Sequence, residues 1–206
     1  MVSPADEQLA APGGSEEEKR FPELSPALLY PDRDAASLGL SGRPSRVSLK
    51  EIPSPLLVVM FLNLDAPMAE SVTDGARTLV QRFLPGGERT PGIKFLAIAA
   101  GSDVRDVAKF RKRNPSPYPL LADGGKRLYS KAGSPALPAV FLLERDKDGR
   151  RRIAWSGESL SPGEIEENIR KAVSAITGDG NPPSARQGKE VTRVNHTSRK
   201  PAEGKT

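Results

Sequence analysis

The sequence predicts an α/β domain with a mixed central sheet and helices on both faces of that sheet. Three observations predict it. Short apolar runs alternate with stretches of helical period, the first run is apolar without interruption, and the last two are joined by a tight Asp-Gly turn. Strands alternating with helices imply parallel strands covered on both sides, and a late hairpin adds antiparallel pairing.

The first run, Leu56-Leu57-Val58-Val59-Met60-Phe61-Leu62, has the pattern of a strand buried on both faces. After it, Val72, Ala76, Leu79, Val80 and Phe83 make one apolar stripe on a helix, which Pro85-Gly86-Gly87 ends. Ile93 to Ala100 is a second buried strand. The helix that follows is capped by Ser102 or Asp103, with Val104, Val107, Ala108 and either Phe110 or Arg111 on its inner side. Tyr118-Pro119-Leu120-Leu121 leads into a short helix around Lys126 to Lys131, and Ala139 to Leu143 is a third strand. Asp146-Lys147-Asp148-Gly149 carries the hairpin signal into Ile153-Ala154-Trp155, where Trp155 reads as a packing residue. The last helix opens with Ser161 as N-cap, Pro162 at N1 and Glu164 at N3. It buries Ile165, Ile169, Ala172, Val173 and Ile176.

A chain of 206 residues has room for one ordinary domain plus tails. Its apolar share is 36%, while prolines (20) and glycines (19) are many, which suggests a folded centre diluted by its ends. Residues 1–20 are polar and acidic with no apolar period, the composition of a disordered N-terminal segment. Residues 177–206 are polar and basic and read as a disordered C-terminal tail, so the domain covers 21–176. No apolar run is long enough to span a bilayer. The N-terminus lacks the basic and apolar regions of a secretory signal. The expected compartment is the cytoplasm for the chain as written, or the periplasm if the true start lies upstream with a signal peptide.

The net charge is +5, and its basic clusters are Arg111-Lys112-Arg113 and Arg150-Arg151-Arg152. Both read as solvated surface, because aromatic interleaving and a reading motif are absent, and no nucleic-acid partner is expected. The chain has no cysteine. That excludes a disulfide scaffold, a thiolate metal site and cysteine catalysis. The one histidine, His196, falls in the basic tail, so neither a Ser-His-Asp triad nor a metal set is expected. Gly124-Gly125-Lys126 lacks the spacing of a phosphate loop, and Asn195-His196-Thr197 reads as a chance glycosylation match. No cofactor is expected.

Several segments share an order with a known superfamily. Phe61 to Glu70 runs an apolar strand into a proline near a helix start, and Gly133 to Phe141 leads a proline into an apolar strand. Phe21-Pro22-Glu23-Leu24, Leu38-Gly39-Leu40 and Val47 to Ile52 precede the first, and Pro119-Leu120-Leu121-Ala122-Asp123 lies between the two. In order and spacing these resemble the thioredoxin-like superfamily, in particular TlpA and AhpC/TSA redoxin-like domains of extracytoplasmic bacterial proteins. The resemblance covers about residues 21–176. It implies a thioredoxin-like fold, a lead-in hairpin from 21–24 and 47–52, and a cis-proline at Pro138. It lays the Cys-Pro-x-Cys motif over Ala66-Pro67-Met68-Ala69, with Asp65 where an aromatic residue is usual.

In the mechanism the resemblance implies, the first cysteine is a thiolate at a helix N-terminus and the second resolves the mixed disulfide. Alanine does neither, and a peroxidase reading fails for want of a sulfur to become a sulfenic acid. The implied protein is a redox-inactive pseudoenzyme. Its old groove, with Asp65, Pro67, Met68, Leu137 and Pro138 as candidate binding residues, would hold a protein or an extended peptide by strand addition. The bland reading is a decayed site. Asp65 itself reads as a helix cap rather than an acid. The alternative class is an oxidoreductase or peroxiredoxin-like antioxidant protein with a thiol-independent activity. Ala66 and Ala69 favour the binding module.

Overall fold

The computed structural model describes residues 20–83, 92–158 and 161–177. The elements are α1 (Pro31–Leu38), a 3-10 turn (Leu49–Glu51), β1 (Leu56–Leu62), α2 (Ala69–Phe83), β2 (Ile93–Ala100), α3 (Val104–Arg113), β3 (Leu120–Asp123), α4 (Arg127–Lys131), β4 (Ala139–Arg145), β5 (Arg151–Gly157) and α5 (Pro162–Thr177). The five strands form one sheet in the order β3-β2-β1-β4-β5. β1, β2 and β3 are parallel, while β4 is antiparallel to β1 and β5 to β4.

β1 is central, and all seven of its residues are buried. Leu56, Val58, Met60 and Leu62 enter a core shared with α2, α3 and α5. Leu57, Val59 and Phe61 enter a second core roofed by α1 and the N-terminal lead-in. A strand with a core on each side has no position for a polar residue, so its sequence is an unbroken apolar run. The stripe on α2 packs as its period implies, with Ala76, Leu79, Val80 and Phe83 buried. The Pro85-Gly86-Gly87 stop lies outside the described residues.

α3 is capped by Asp103, whose Oδ1 accepts the N–H groups of Arg105 (2.7 Å) and Asp106 (2.9 Å). That cap fixes the phase of the helix. Val104, expected on the inner side, is 57% exposed, whereas Val107 is buried as expected and Phe110 and Arg111 are both buried. Ile176, expected on the buried face of α5, is also exposed, because the core it would pack on stops at Ala172 and Val173. A period tells which face points inward but not where the core ends.

The lead-in pairs as an irregular ribbon rather than a regular hairpin. Leu49 donates to the Leu24 carbonyl, Val47 to that of Pro26 and Leu28 to that of Ser45. The ribbon encloses α1, which the sequence reading passed over. Its signals were present: Pro31 begins the helix, and Gly39 ends it at φ +76°, the left-handed conformation that favours glycine. At the expected domain borders, Arg20 bridges to Arg152 and Thr177 ends α5. The rest of both terminal segments, His196 and Asn195-His196-Thr197 included, lies outside the described residues. No described helix is long and apolar enough to cross a membrane.

The two basic clusters are not simply solvated. Arg111 is buried and pairs bidentately with Asp34, Nη1 to Oδ2 at 3.1 Å and Nη2 to Oδ1 at 2.9 Å, under the Tyr30 ring. This pair ties α3 to α1. Arg151 is buried too, and donates to the carbonyls of Leu49 (3.1 Å), Ser54 (2.8 Å) and Ile52 (2.7 Å). A guanidinium carries five donors in a fixed fork, which suits it to gather the carbonyls of an irregular loop.

Candidate functional site

The candidate site follows β1. Asn63 Oδ1 accepts the N–H of Asp65 at 3.0 Å, a side-chain turn that bends the chain off the strand. Ala69 then donates to the Ala66 carbonyl (2.9 Å) and Val72 to that of Met68 (2.9 Å), so α2 starts at Ala69. Asp65 is exposed and lies four residues before the first helical residue. It belongs to the turn and does not cap the helix. Ala66 is half-buried, Ala69 is buried, and Met68 is 67% exposed.

The sheet register brings the second half of the site to this turn. Phe61 in β1 stands opposite Ala139, the first residue of β4, so the residues before Ala139 lie beside those after Leu62. The Leu137–Pro138 peptide bond is cis. Ala66, Pro67, Met68, Ala69, Leu137 and Pro138 line one groove of about 940 Å³, and Asp65 does not. Asn63, Glu158 and Pro162 also line it, and sequence reasoning did not single them out for this role. Glu158 is the one charged residue among the described lining. Among the described residues, the backbone N–H and C=O of Leu137 take no hydrogen bond. No cluster of metal-ligating side chains occurs among the described residues.

No protein-family model matches the chain, and no curated protein does. Solved structures do. A thiol:disulfide interchange protein of the thioredoxin family from Chlorobium tepidum TLS superposes with TM-score 0.53 at 15% identity, over 75% of this chain and 96% of that one. A secreted Mycobacterium tuberculosis disulfide oxidoreductase homologous to E. coli DsbE gives 0.50 at 14%, over 78% and 99%. A thioredoxin-like protein from Aeropyrum pernix gives 0.50 at 16%, over 76% and 91%. The fold is thioredoxin-like.

At these identities the likeness concerns the fold alone. Within the thioredoxin-like frame, the Ala66–Ala69 turn sits at the N-terminal end of α2, where the helix dipole favours negative charge. That field lowers the pKa of a thiol placed in it. Here both flanking positions carry a methyl group, so nothing in the turn can ionise, and the chain has no sulfur nucleophile elsewhere. What remains is a groove with apolar walls, one carboxylate and one residue, Leu137, whose backbone takes no hydrogen bond among the described residues.

Proposed function

We propose that this thioredoxin-like domain is redox-inactive and binds an extended segment of a partner protein in the groove between the Ala66–Ala69 turn and Leu137-Pro138. One observation carries the reading: Leu137, whose N–H and C=O take no hydrogen bond among the described residues, lines an apolar groove together with the exposed Met68. The residue before a proline is biased toward extended backbone. An extended residue with both polar groups free is a template for one strand-like pairing. Met68 supplies an unbranched, polarizable side chain that adapts to different partners. Glu158 disfavours acidic segments, because like charges brought together across an interface cost binding energy.

Selection from a library of short linear peptides tests this. It is expected to enrich non-acidic sequences with alternate apolar residues, binding with Kd of about 10 μM and about tenfold more weakly to a Met68→Asp variant. The wild-type chain is expected to be silent in insulin reduction, and an Ala66→Cys/Ala69→Cys variant to gain reductase activity. Enrichment indifferent to Met68→Asp, or none, removes the binding reading. Turnover by the wild type removes the redox-inactive one.

A further inference from the structure

At the other end of β4 lies a second concavity, of about 340 Å³, where the segment from Arg20 to Glu23 and the 3-10 turn meet the start of β5. Its described lining holds four cations, Arg20, Lys50, Arg150 and Arg151, and one carboxylate, Glu23, a surplus of three positive charges. Glu23 is already engaged, by Lys50 at 2.8 Å and by the Ser48 hydroxyl at 3.0 Å. Among the described residues, Arg20, Arg150 and the neighbouring Arg145 have no acidic partner.

Arg151 sharpens the imbalance. It is 4% exposed and, among the described residues, has no carboxylate beside it. Its bonds to three carbonyls and to Ser54 Oγ (3.4 Å) use four of its five N–H groups and leave one on Nη1. Burial, and then the charge of Arg145, lower its pKa to about 10, which leaves it protonated at neutral pH. Carbonyls satisfy its hydrogen bonds but do not neutralise its charge. Clustered like charges also repel one another and destabilise the compact state unless something offsets them.

We propose that this pocket binds a small phosphate monoester, its dianionic head held by Arg20, Arg150 and Arg151 and its organic part laid against Phe21 and Pro22. Guanidinium groups match phosphate oxygens bidentately. A phosphate ester carries close to two negative charges above its second pKa of about 6, which suits a surplus of three better than a carboxylate does. The volume lies at the small end of ligand pockets, so a small molecule fits and a macromolecular segment does not.

Calorimetric titration of the full chain with inorganic phosphate, glycerol 3-phosphate and a phosphoserine peptide, at constant ionic strength, tests the assignment. Saturable one-to-one binding is expected, tightest for glycerol 3-phosphate. Arg150→Gln and Arg20→Gln should each weaken it about tenfold. Binding should also be weaker at about pH 5.5 than at about pH 7.5, as the ester loses its second charge. A response that does not saturate, or that both variants retain, overturns the proposal. Tightest binding of the phosphoserine peptide overturns the small-molecule assignment. Binding seen only in a Glu16→Gln/Glu17→Gln/Glu18→Gln variant assigns the cluster to the chain's own carboxylates and overturns it as well.

Discussion

Arg111 and Arg151 each sit in a run of three basic residues and each is buried, yet their surroundings differ. Arg111 meets the Asp34 carboxylate in a two-bonded fork, so the pair is neutral as a unit and acts as a strut between α1 and α3. Arg151 meets carbonyl oxygens, clamps the loop at 49–54 to β5, and keeps its charge. Burial alone therefore does not say what a buried arginine does. Its partner does, because a carboxylate cancels the field that a carbonyl only solvates.

The comparison is best broken at Asp34. Asp34→Ala leaves a buried guanidinium unpaired and should cost about 3–5 kcal/mol, read from urea unfolding. An Asp34→Leu/Arg111→Met double variant should recover most of that loss, since replacing both charges by apolar groups is close to neutral. If the double variant is as weak as the single one, the strut is not what Asp34 provides. Arg151→Met should cost less, about 2 kcal/mol, because it strands carbonyls but also removes an uncompensated charge. A loss larger than that of Asp34→Ala would mean that Arg151 has a neutralising partner after all.

Exposed members of the same runs sharpen the contrast. Lys112→Gln and Arg150→Gln should each shift stability by no more than about 0.5 kcal/mol in the same unfolding measurement. The smallest effect is expected at Asp103. The N–H of Asp106 first, and that of Arg105, hold its carboxyl below the usual aspartate range. A carboxyl whose pKa is lower folded than unfolded contributes stability at neutral pH and loses it as pH falls through the folded value. Asp103→Asn keeps the cap and removes the titration. The wild type should be slightly the more stable at neutral pH, and the unfolding curves of the two proteins should converge in acid.

The strands were the most legible part of the fold. Leu56 to Leu62 and Ile93 to Ala100 end where their apolar runs end, because each lies between two cores; the one charged residue, Lys94, sits half-buried at the entry of β2. The helices were legible in type and less so in burial: Val104 and Ile176 share the period of their buried neighbours, but a cap and the limit of the core expose them. At the site, Ala66, Ala69, Leu137 and Pro138 were found through a resemblance, whereas Asn63 and Glu158 carried no signal and Pro162 signalled only a helix start. These three arrive from separate elements and meet only through the packing of the sheet and its helices. Asp65 misled for a related reason: the turn at 63–68 delays the helix, and nothing local announces that delay.

By itself the sequence determined that this chain performs no thiol chemistry, since a chain without cysteine lacks the nucleophile in any fold. It also determined a sheet covered on both faces, since an uninterrupted apolar run such as Leu56 to Leu62 leaves no side for water. Only the tertiary structure decided the fate of the basic runs. Arg111 finds Asp34 across 77 residues and Arg151 finds Leu49 across 102, and no pattern within a local window encodes partners that far apart. Whether a charge is solvated, cancelled or left to attract an anion depends on which distant groups the packing brings beside it.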